Sequence, residues 1–317
     1  MILNFPNLGC CLSINPIVTS KTTTLKRVSS RFSSNSDNGP KESKKGTEKL
    51  LACTSGRFCS FCSRRHFMEA VLGTGLLPIN PSFASDEDSA SNNPMTVLNR
   101  IHPPRPDWYE EFYALALDKT MISYEAEIAG YKSQLFSNLR GKADKILEIG
   151  IGTGPNLKYY ANEPGIRVFG IDPNSKMKKY AVAAAEAAGL PPSNFKFMQA
   201  VAEALPLNDA SVDAVVGTLV LCSVKDVDLT LQEVRRVLKP GGFYVFVEHV
   251  AAKDGTILRF VQGVLDPLQQ TVADGCHLTR NTGNSIAKAG FLGLDINQVV
   301  LSTASLVNPH VYGIAHK

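Results

Sequence analysis

Apolar and polar positions follow two rhythms along most of this chain. From Asp107 to Arg140 apolar residues recur three and four apart, as at Trp108, Phe112 and Leu115, which predicts helix. Gly130 is a soft spot in that stretch. Short apolar runs then follow at Ile146 to Ile149, Val168 to Ile171, Phe195 to Gln199, Asp213 to Thr218 and Phe243 to Val250. Runs of this length, bounded by Gly, Pro and Asp, read as buried strands. Helical stretches lie between them. One starts at Pro173-Asn174-Ser175 and runs through Ala188, with Asn174 able to cap it. Another runs from Asp226 to Leu238 and is stopped by Pro240 and the Gly241-Gly242 turn. A third is expected to start near Pro155. Strands that alternate with helices imply an α/β fold with a mostly parallel, doubly wound sheet. Two last runs, Gly293 to Leu301 and His310 to Ala315, alternate and suggest a closing strand pair.

The first strand runs into a loop with glycines at 150, 152 and 154, KILEIGIGTGPN. Glycines crowd a loop when the backbone must take positive φ or approach a ligand closely. A glycine-rich strand-to-helix turn is where such sheets bind nucleotide-like cofactors. The dinucleotide fingerprint would place its last glycine where this chain has Pro155, which argues against an NAD-linked oxidoreductase. The second strand closes on Asp172, where a carboxylate can accept both hydroxyls of a ribose.

Taken with AEALP at Ala202 to Pro206 and EVRRVLKPGG at Glu233 to Gly242, this order resembles the class I S-adenosylmethionine-dependent methyltransferases, near the UbiE-type branch. TLVLCSVK, EHVAA, LDPLQQTVADGCHLTR and the ending PHVYGIA narrow the resemblance. They are similar to a methyltransferase-like family whose animal members associate with membranes or lipid droplets and methylate small thiols. The resemblance covers roughly residues 107 to 317. It implies a Rossmann-like, seven-stranded sheet with an antiparallel last strand and N-terminal helices over the cofactor, with Tyr109 and Tyr113 near cofactor or substrate. It implies S-adenosyl-L-methionine as cofactor, held by Glu148, Gly150, Gly152, Gly154, Asp172, Ala202, Glu203 and Leu219. Glu148 would accept from loop N–H groups or, through water, from the cofactor's ammonium. An Asp usual before AEALP is Val201 here, which leaves backbone near Ala202 and the Glu203 carboxylate for the adenine. The acceptor is a small molecule, a thiol or a lipid- or quinone-like compound. His249 is the candidate general base because its ordinary pKa lies near working pH. Asp274 is a second candidate, in the segment with His277 and Arg280 that would cap the substrate pocket. Cys222 reads as a small buried residue with no partner histidine nearby in sequence. A non-catalytic cofactor-binding protein is the other reading that keeps these residues.

Charge divides the chain. Residues 1–84 hold eleven Lys and Arg against four Asp and Glu, and the remainder is net acidic. The domain therefore shows no sign of a nucleic-acid surface. Residues 1–62 are Ser- and Thr-rich, basic and poor in acids, the composition of a transit peptide. Ser63-Arg64-Arg65 precedes a short apolar run and Ser82-Phe83-Ala84. Residues 63–84 thus read as a twin-arginine-like signal or a short membrane anchor. A chloroplast address is expected, with the thylakoid or a plastid lipid particle as finer sites and a peripheral membrane contact. Residues 85–106 read as linker and 107–317 as the methyltransferase domain. No metal site is expected, because the Cys59-x-x-Cys62 pair has no second pair at ligand spacing. Oligomeric state is not legible.

Overall fold

The computed structural model describes residues 93–317. The transit-peptide and signal readings, and Cys59 and Cys62, lie outside the described residues. Seven strands form one sheet in the order β3-β2-β1-β4-β5-β7-β6. They are β1 (Lys145–Ile149), β2 (Arg167–Asp172), β3 (Phe195–Gln199), β4 (Val212–Thr218), β5 (Leu238–His249), β6 (Gly293–Val299) and β7 (His310–His316). The first five pair in parallel, while β7 runs antiparallel to both β5 and β6. The closing strand pair thus forms as expected.

Both faces of the sheet are buried at its centre, which is why its central strands read as near-continuous apolar runs. Alternate residues go to opposite cores: Ile146, Ala214, Val216, Val245 and Val247 to one, Leu147, Val215, Tyr244 and Phe246 to the other. The helices α1 (Pro94–Ile101), α2 (Asp107–Thr120), α3 (Ile122–Phe136), α4 (Lys178–Ala187), α5 (Val227–Val237), α6 (Ile257–Val272) and α7 (Thr282–Lys288) surround it. Helix α3 supplies Tyr124, Ile128 and Phe136 to the first core, and α5 supplies Leu231, Val234 and Val237 to the second. Asn174 caps its helical turn through its side-chain oxygen, as the sequence suggests, and Asp226 does the same for α5.

Three expectations change. No α-helix starts at Pro155; one 3-10 turn, Leu157–Tyr159, takes its place. The Asn156 amide is drawn inward to Glu148 and Thr218, which holds the chain against the sheet rather than releasing it into a helix. Residues 94–101, read as linker, form α1, with Leu98 buried. Trp108, Phe112 and Leu115 of α2 do recur at helical spacing, yet all three are exposed, Trp108 at 71%.

Candidate active site

The carboxyl ends of the parallel strands face a cavity of about 400 Å³, a volume usual for small-ligand sites. Gly150 and Gly152 both adopt left-handed backbone as the chain leaves β1. The turn is locked from two sides. Ile151 N–H donates to the Ile171 carbonyl at 2.9 Å, and Gly152 N–H to Asp172 Oδ2 at 3.0 Å. Asp172 Oδ1 accepts from Asn174 N–H at 2.9 Å. Burial pushes the Asp172 carboxyl up to about 7 against the pull of those two donors. A hydroxyl pair arriving in the cavity would add two donors and favour its ionised form.

Gly150, Gly152, Asp172, Ala202, Glu203 and Leu219 all line this cavity. Two residues from the same sequence reading do not. Glu148 lies behind the loop, fully buried, and accepts from the Asn156 amide and the Tyr160 hydroxyl. It braces the turn and does not reach the cavity. Burial pushes its carboxyl to about 7, with Tyr160 and Asn156 opposing. Gly154 faces α4, where a Cβ would meet Ala184 Cβ at 2.9 Å. Its missing side chain serves helix–loop packing. Glu203 lines the cavity, but one of its oxygens already accepts from Lys225 N–H and Asp226 N–H, at 2.6 and 3.3 Å. That oxygen fixes a loop.

That loop, the exit from β4, is pinned from every direction. Leu219 takes φ of 55°, costly for a residue with a Cβ. Glu248 at the end of β5 accepts from Val220 N–H and Leu221 N–H, each at 3.1 Å. Arg280 donates to the carbonyls of Leu221 and Val224 at 2.9 and 2.6 Å. His277 N–H holds the Cys222 carbonyl at 2.9 Å.

The far end of the cavity carries the catalytic candidates. His249 is buried and its Nε2 stands 3.2 Å from Cys276 Sγ. Burial opposes the charged imidazole, but the Cys276 sulfur and Glu248 outweigh it and raise the pKa. Cys276 is lowered well below the usual thiol range, chiefly by the Cys222 thiol that donates to it and then by His249. Asp274 lines the cavity in left-handed backbone and is paired with His102 Nε2 and Arg105, each at 3.2 Å. Burial raises such a carboxyl, yet these two cations overcome it and hold Asp274 below its ordinary value. It is thereby a poor base and a good clasp between residues 102–105 and the end of α6. Tyr113 also lines the cavity, and Tyr109 stacks on it at 6.1 Å between ring centroids. Sequence reasoning missed His102, Arg105 and Cys276. No local pattern marks them, because the fold alone brings them to Asp274 and His249.

The cavity fits S-adenosylmethionine. It has a side-chain-free backbone wall at Gly150 and Gly152, a buried carboxylate for the ribose at Asp172, and an apolar edge at Ile171, Val201 and Leu219. When bound, that cofactor supplies an activated methyl group on a sulfonium. The chain's own task is to hold donor and acceptor in line and to keep water out.

Comparison with known proteins agrees. A family model described as a methyltransferase domain matches residues 147–246. The human (Homo sapiens) thiol S-methyltransferase TMT1A is 41% identical over 218 residues, 66% of this chain and 86% of that protein. The Rattus norvegicus thiol S-methyltransferase TMT1B is 41% identical over 71% of this chain and 93% of that protein. A Haloferax volcanii methyltransferase solved with its Trm112 activator shares the fold, with a TM-score of 0.51, 18% identity, and coverage of 67% of this chain and 99% of that one. The chain belongs to the family of the TMT1 enzymes and is an S-adenosylmethionine-dependent methyltransferase of small-molecule acceptors.

Proposed function

We propose that the acceptor is a small, lipophilic thiol. The observation that carries this is the state of the acids at the acceptor end. Asp274 is tied to His102 and Arg105, and Glu125 accepts from the buried Lys132 at 2.7 Å. A carboxylate held by two cations, as Asp274 is, makes a weak base, so an acceptor that ionises easily suits this cavity. A thiol's ordinary pKa of about 8.5 needs only a small shift, whereas a phenol or ring carbon needs a real base. The walls there include Met121, Val224, Ala273 and Cys276, which favour an apolar acceptor. The curated names of the relatives point the same way.

Label transfer tests the reading. The full chain is given methyl-labelled S-adenosylmethionine, a small alkyl thiol and a plastid lipid and quinone extract. Label is expected on the thiol. Label confined to the lipid or quinone fraction would overturn the thiol reading and favour the UbiE-like one. Asp274→Asn should keep thiol turnover within about tenfold if the residue is a clasp and not the base, since general-base losses run to 10²–10⁴-fold.

Peripheral membrane association belongs to the same proposal. Ile257, Phe260, Val264 and Leu268 form one exposed stripe along α6, with Ile257 at 84%. Among the described residues no helix is long and apolar enough to cross a membrane. A stripe of this kind suits the headgroup boundary. Phe260→Ser with Val264→Ser is expected to reduce flotation with phospholipid vesicles, and unchanged flotation would remove α6 as the contact. The plastid address rests on residues 1–84 alone and is read by the localisation of a fluorescent fusion with and without them.

A further inference from the structure

Cys222 leaves β4, His249 ends β5, and Cys276 follows α6, yet their side chains meet at one end of the cavity. All three residues are buried, and their donor atoms lie within 4.8 Å of one another. Cys222 and Cys276 are free thiols. The surroundings are apolar, with Ala273 and Val272 packed on the two cysteines. All three ligand residues line the same cavity as Gly150, Asp172 and Leu219.

We propose that Cys222, His249 and Cys276 bind one zinc ion whose fourth position opens into the cavity and takes the acceptor thiol. Two sulfurs and one imidazole nitrogen form a donor set that selects zinc over harder cations. Tetrahedral zinc, with bonds of about 2.3 Å to sulfur and 2.0–2.1 Å to nitrogen, sets its donors roughly 3.5–3.8 Å apart. The His249–Cys276 pair stands at 3.2 Å and no donor pair exceeds 4.8 Å, so shifts of about an ångström or less meet that spacing. Three protein ligands and an open position are the pattern of catalytic zinc rather than structural zinc. Charge also balances. Two thiolates and a neutral imidazole cancel the ion's +2, which suits an apolar cavity wall.

The acceptor half of this proposal rests on the thiol reading above; the metal site itself does not. An acceptor thiol gives its proton to water as its sulfur binds the ion. A lone pair of that sulfur then forms a bond to the donor methyl carbon. The bond from that carbon to the sulfonium sulfur breaks, and its electrons stay with the departing sulfur. The products are a neutral thioether and S-adenosylhomocysteine. A thioether is a weaker ligand than a thiolate, so the product leaves. His249 is a ligand in this scheme and not a proton acceptor.

Cobalt(II) titration tests it. The full chain carries Cys59→Ser and Cys62→Ser, so that the N-terminal pair cannot contribute. It is stripped of metal under a phosphine reductant and then titrated. One equivalent is expected to bind, with visible bands of tetrahedral geometry and a near-ultraviolet sulfur-to-cobalt band. Cys222→Ser and Cys276→Ser should each lose about half of that band or all binding, while S-adenosylmethionine binding shows that each variant still folds. His249→Cys should keep the ion and strengthen the sulfur band, a rescue that a packing role would not give. Adding a small alkyl thiol should raise the band again. Equal titration of the parent chain and of Cys276→Ser would overturn the site. Tight cobalt binding that a thiol leaves unchanged would overturn its role toward the acceptor. A cobalt site that responds to thiol, with no label transferred to thiol in the earlier assay, would instead overturn the proposed function and leave the metal site standing.

Discussion

Gly150 and Gly152 look alike in the sequence and have different physical duties. Both need positive φ, so an alanine at either costs about 1 kcal/mol in backbone strain. At Gly150 a Cβ would also stand 2.5 Å from Val220 Cγ2, against a loop that Glu248 and Arg280 hold in place. At Gly152 the nearest atom is Gly150 O, at 4.0 Å, so the new methyl projects into open space on the cavity wall. Gly150→Ala is therefore expected to lower the unfolding temperature by several degrees more than Gly152→Ala. Gly152→Ala should instead weaken S-adenosylmethionine binding by at least about tenfold with a smaller loss of stability. Thermal unfolding and calorimetric binding of the two variants check this, and equal effects on both readouts would contradict it. These residues were legible in the sequence because their job is local: a strand, a turn and the next strand lie within thirty residues. Gly154 and Glu148 sit in the same motif and were misplaced, because a motif does not tell which side of the loop a residue faces. His249 was legible as a candidate site residue, but its meeting with Cys222 and Cys276 was not. They stand 27 residues apart in each step, and only the crossing of β4, β5 and the α6 end joins them.

Elements with a strong apolar period were read correctly, and the errors fall where tertiary contacts decide. The five parallel strands and β7 follow from apolar runs, whereas β6, which buries none of its residues, was read from its alternation. Helix α6 does carry an apolar stripe at helical spacing, but Pro267 lies inside it, and α1 buries only Leu98, so neither was read as a helix from the chain alone. The exit loop of β4 shows how one element can depend on distant ones. Its carbonyls at Leu221 and Val224 are both held by the one Arg280 guanidinium. Arg280→Met removes two charge-assisted bonds and strands both oxygens, at about 1.5–3 kcal/mol for each such bond before any relaxation. The expected result is a lower midpoint in urea, with the loss of acceptor turnover exceeding the loss of donor binding, since Cys222 lies within this loop and Asp172 does not. Arg280→Lys should fall between the two, because an ammonium keeps the charge on a shorter side chain that does not place its nitrogen where Nη1 meets both carbonyls. Denaturation and steady-state kinetics with the alkyl thiol measure both. Full stability in Arg280→Met would show that water replaces the guanidinium.

Three buried acids of the described residues gather at the carboxyl edge of the sheet. Glu148 and Glu248 are the next-to-last residues of β1 and β5, and Asp172 ends β2; all three are buried and pushed by burial to about 7. An antagonist sits beside them: burial drives His310 on β7 down to about 3. Their pH effects have opposite signs, so a single carboxyl must be isolated to see its own. Glu148→Gln does so, because the amide is neutral at every pH. Below about 4.5 the wild-type carboxyl is protonated in both the folded and unfolded chain, and the difference between the two proteins is constant. Between about 4.5 and 7 the folded protein keeps a proton that the unfolded chain releases. Wild type therefore loses stability relative to the variant as pH rises, by up to about 1.4 kcal/mol per pH unit and about 3 kcal/mol in all. Above 7 both forms are ionised and the difference levels off. Urea denaturation of both proteins from pH 5 to pH 8 should show the gap moving toward the variant and then flattening. A gap that stays constant would mean that Glu148 is already ionised at pH 5, held so by Tyr160, Asn156 and the Lys132 charge. Asp172 would then be the acid to follow, and its ionisation should appear in cofactor binding: affinity for S-adenosylmethionine is expected to fall up to tenfold for each pH unit below about 7, because the ribose hydroxyls donate to the carboxylate form.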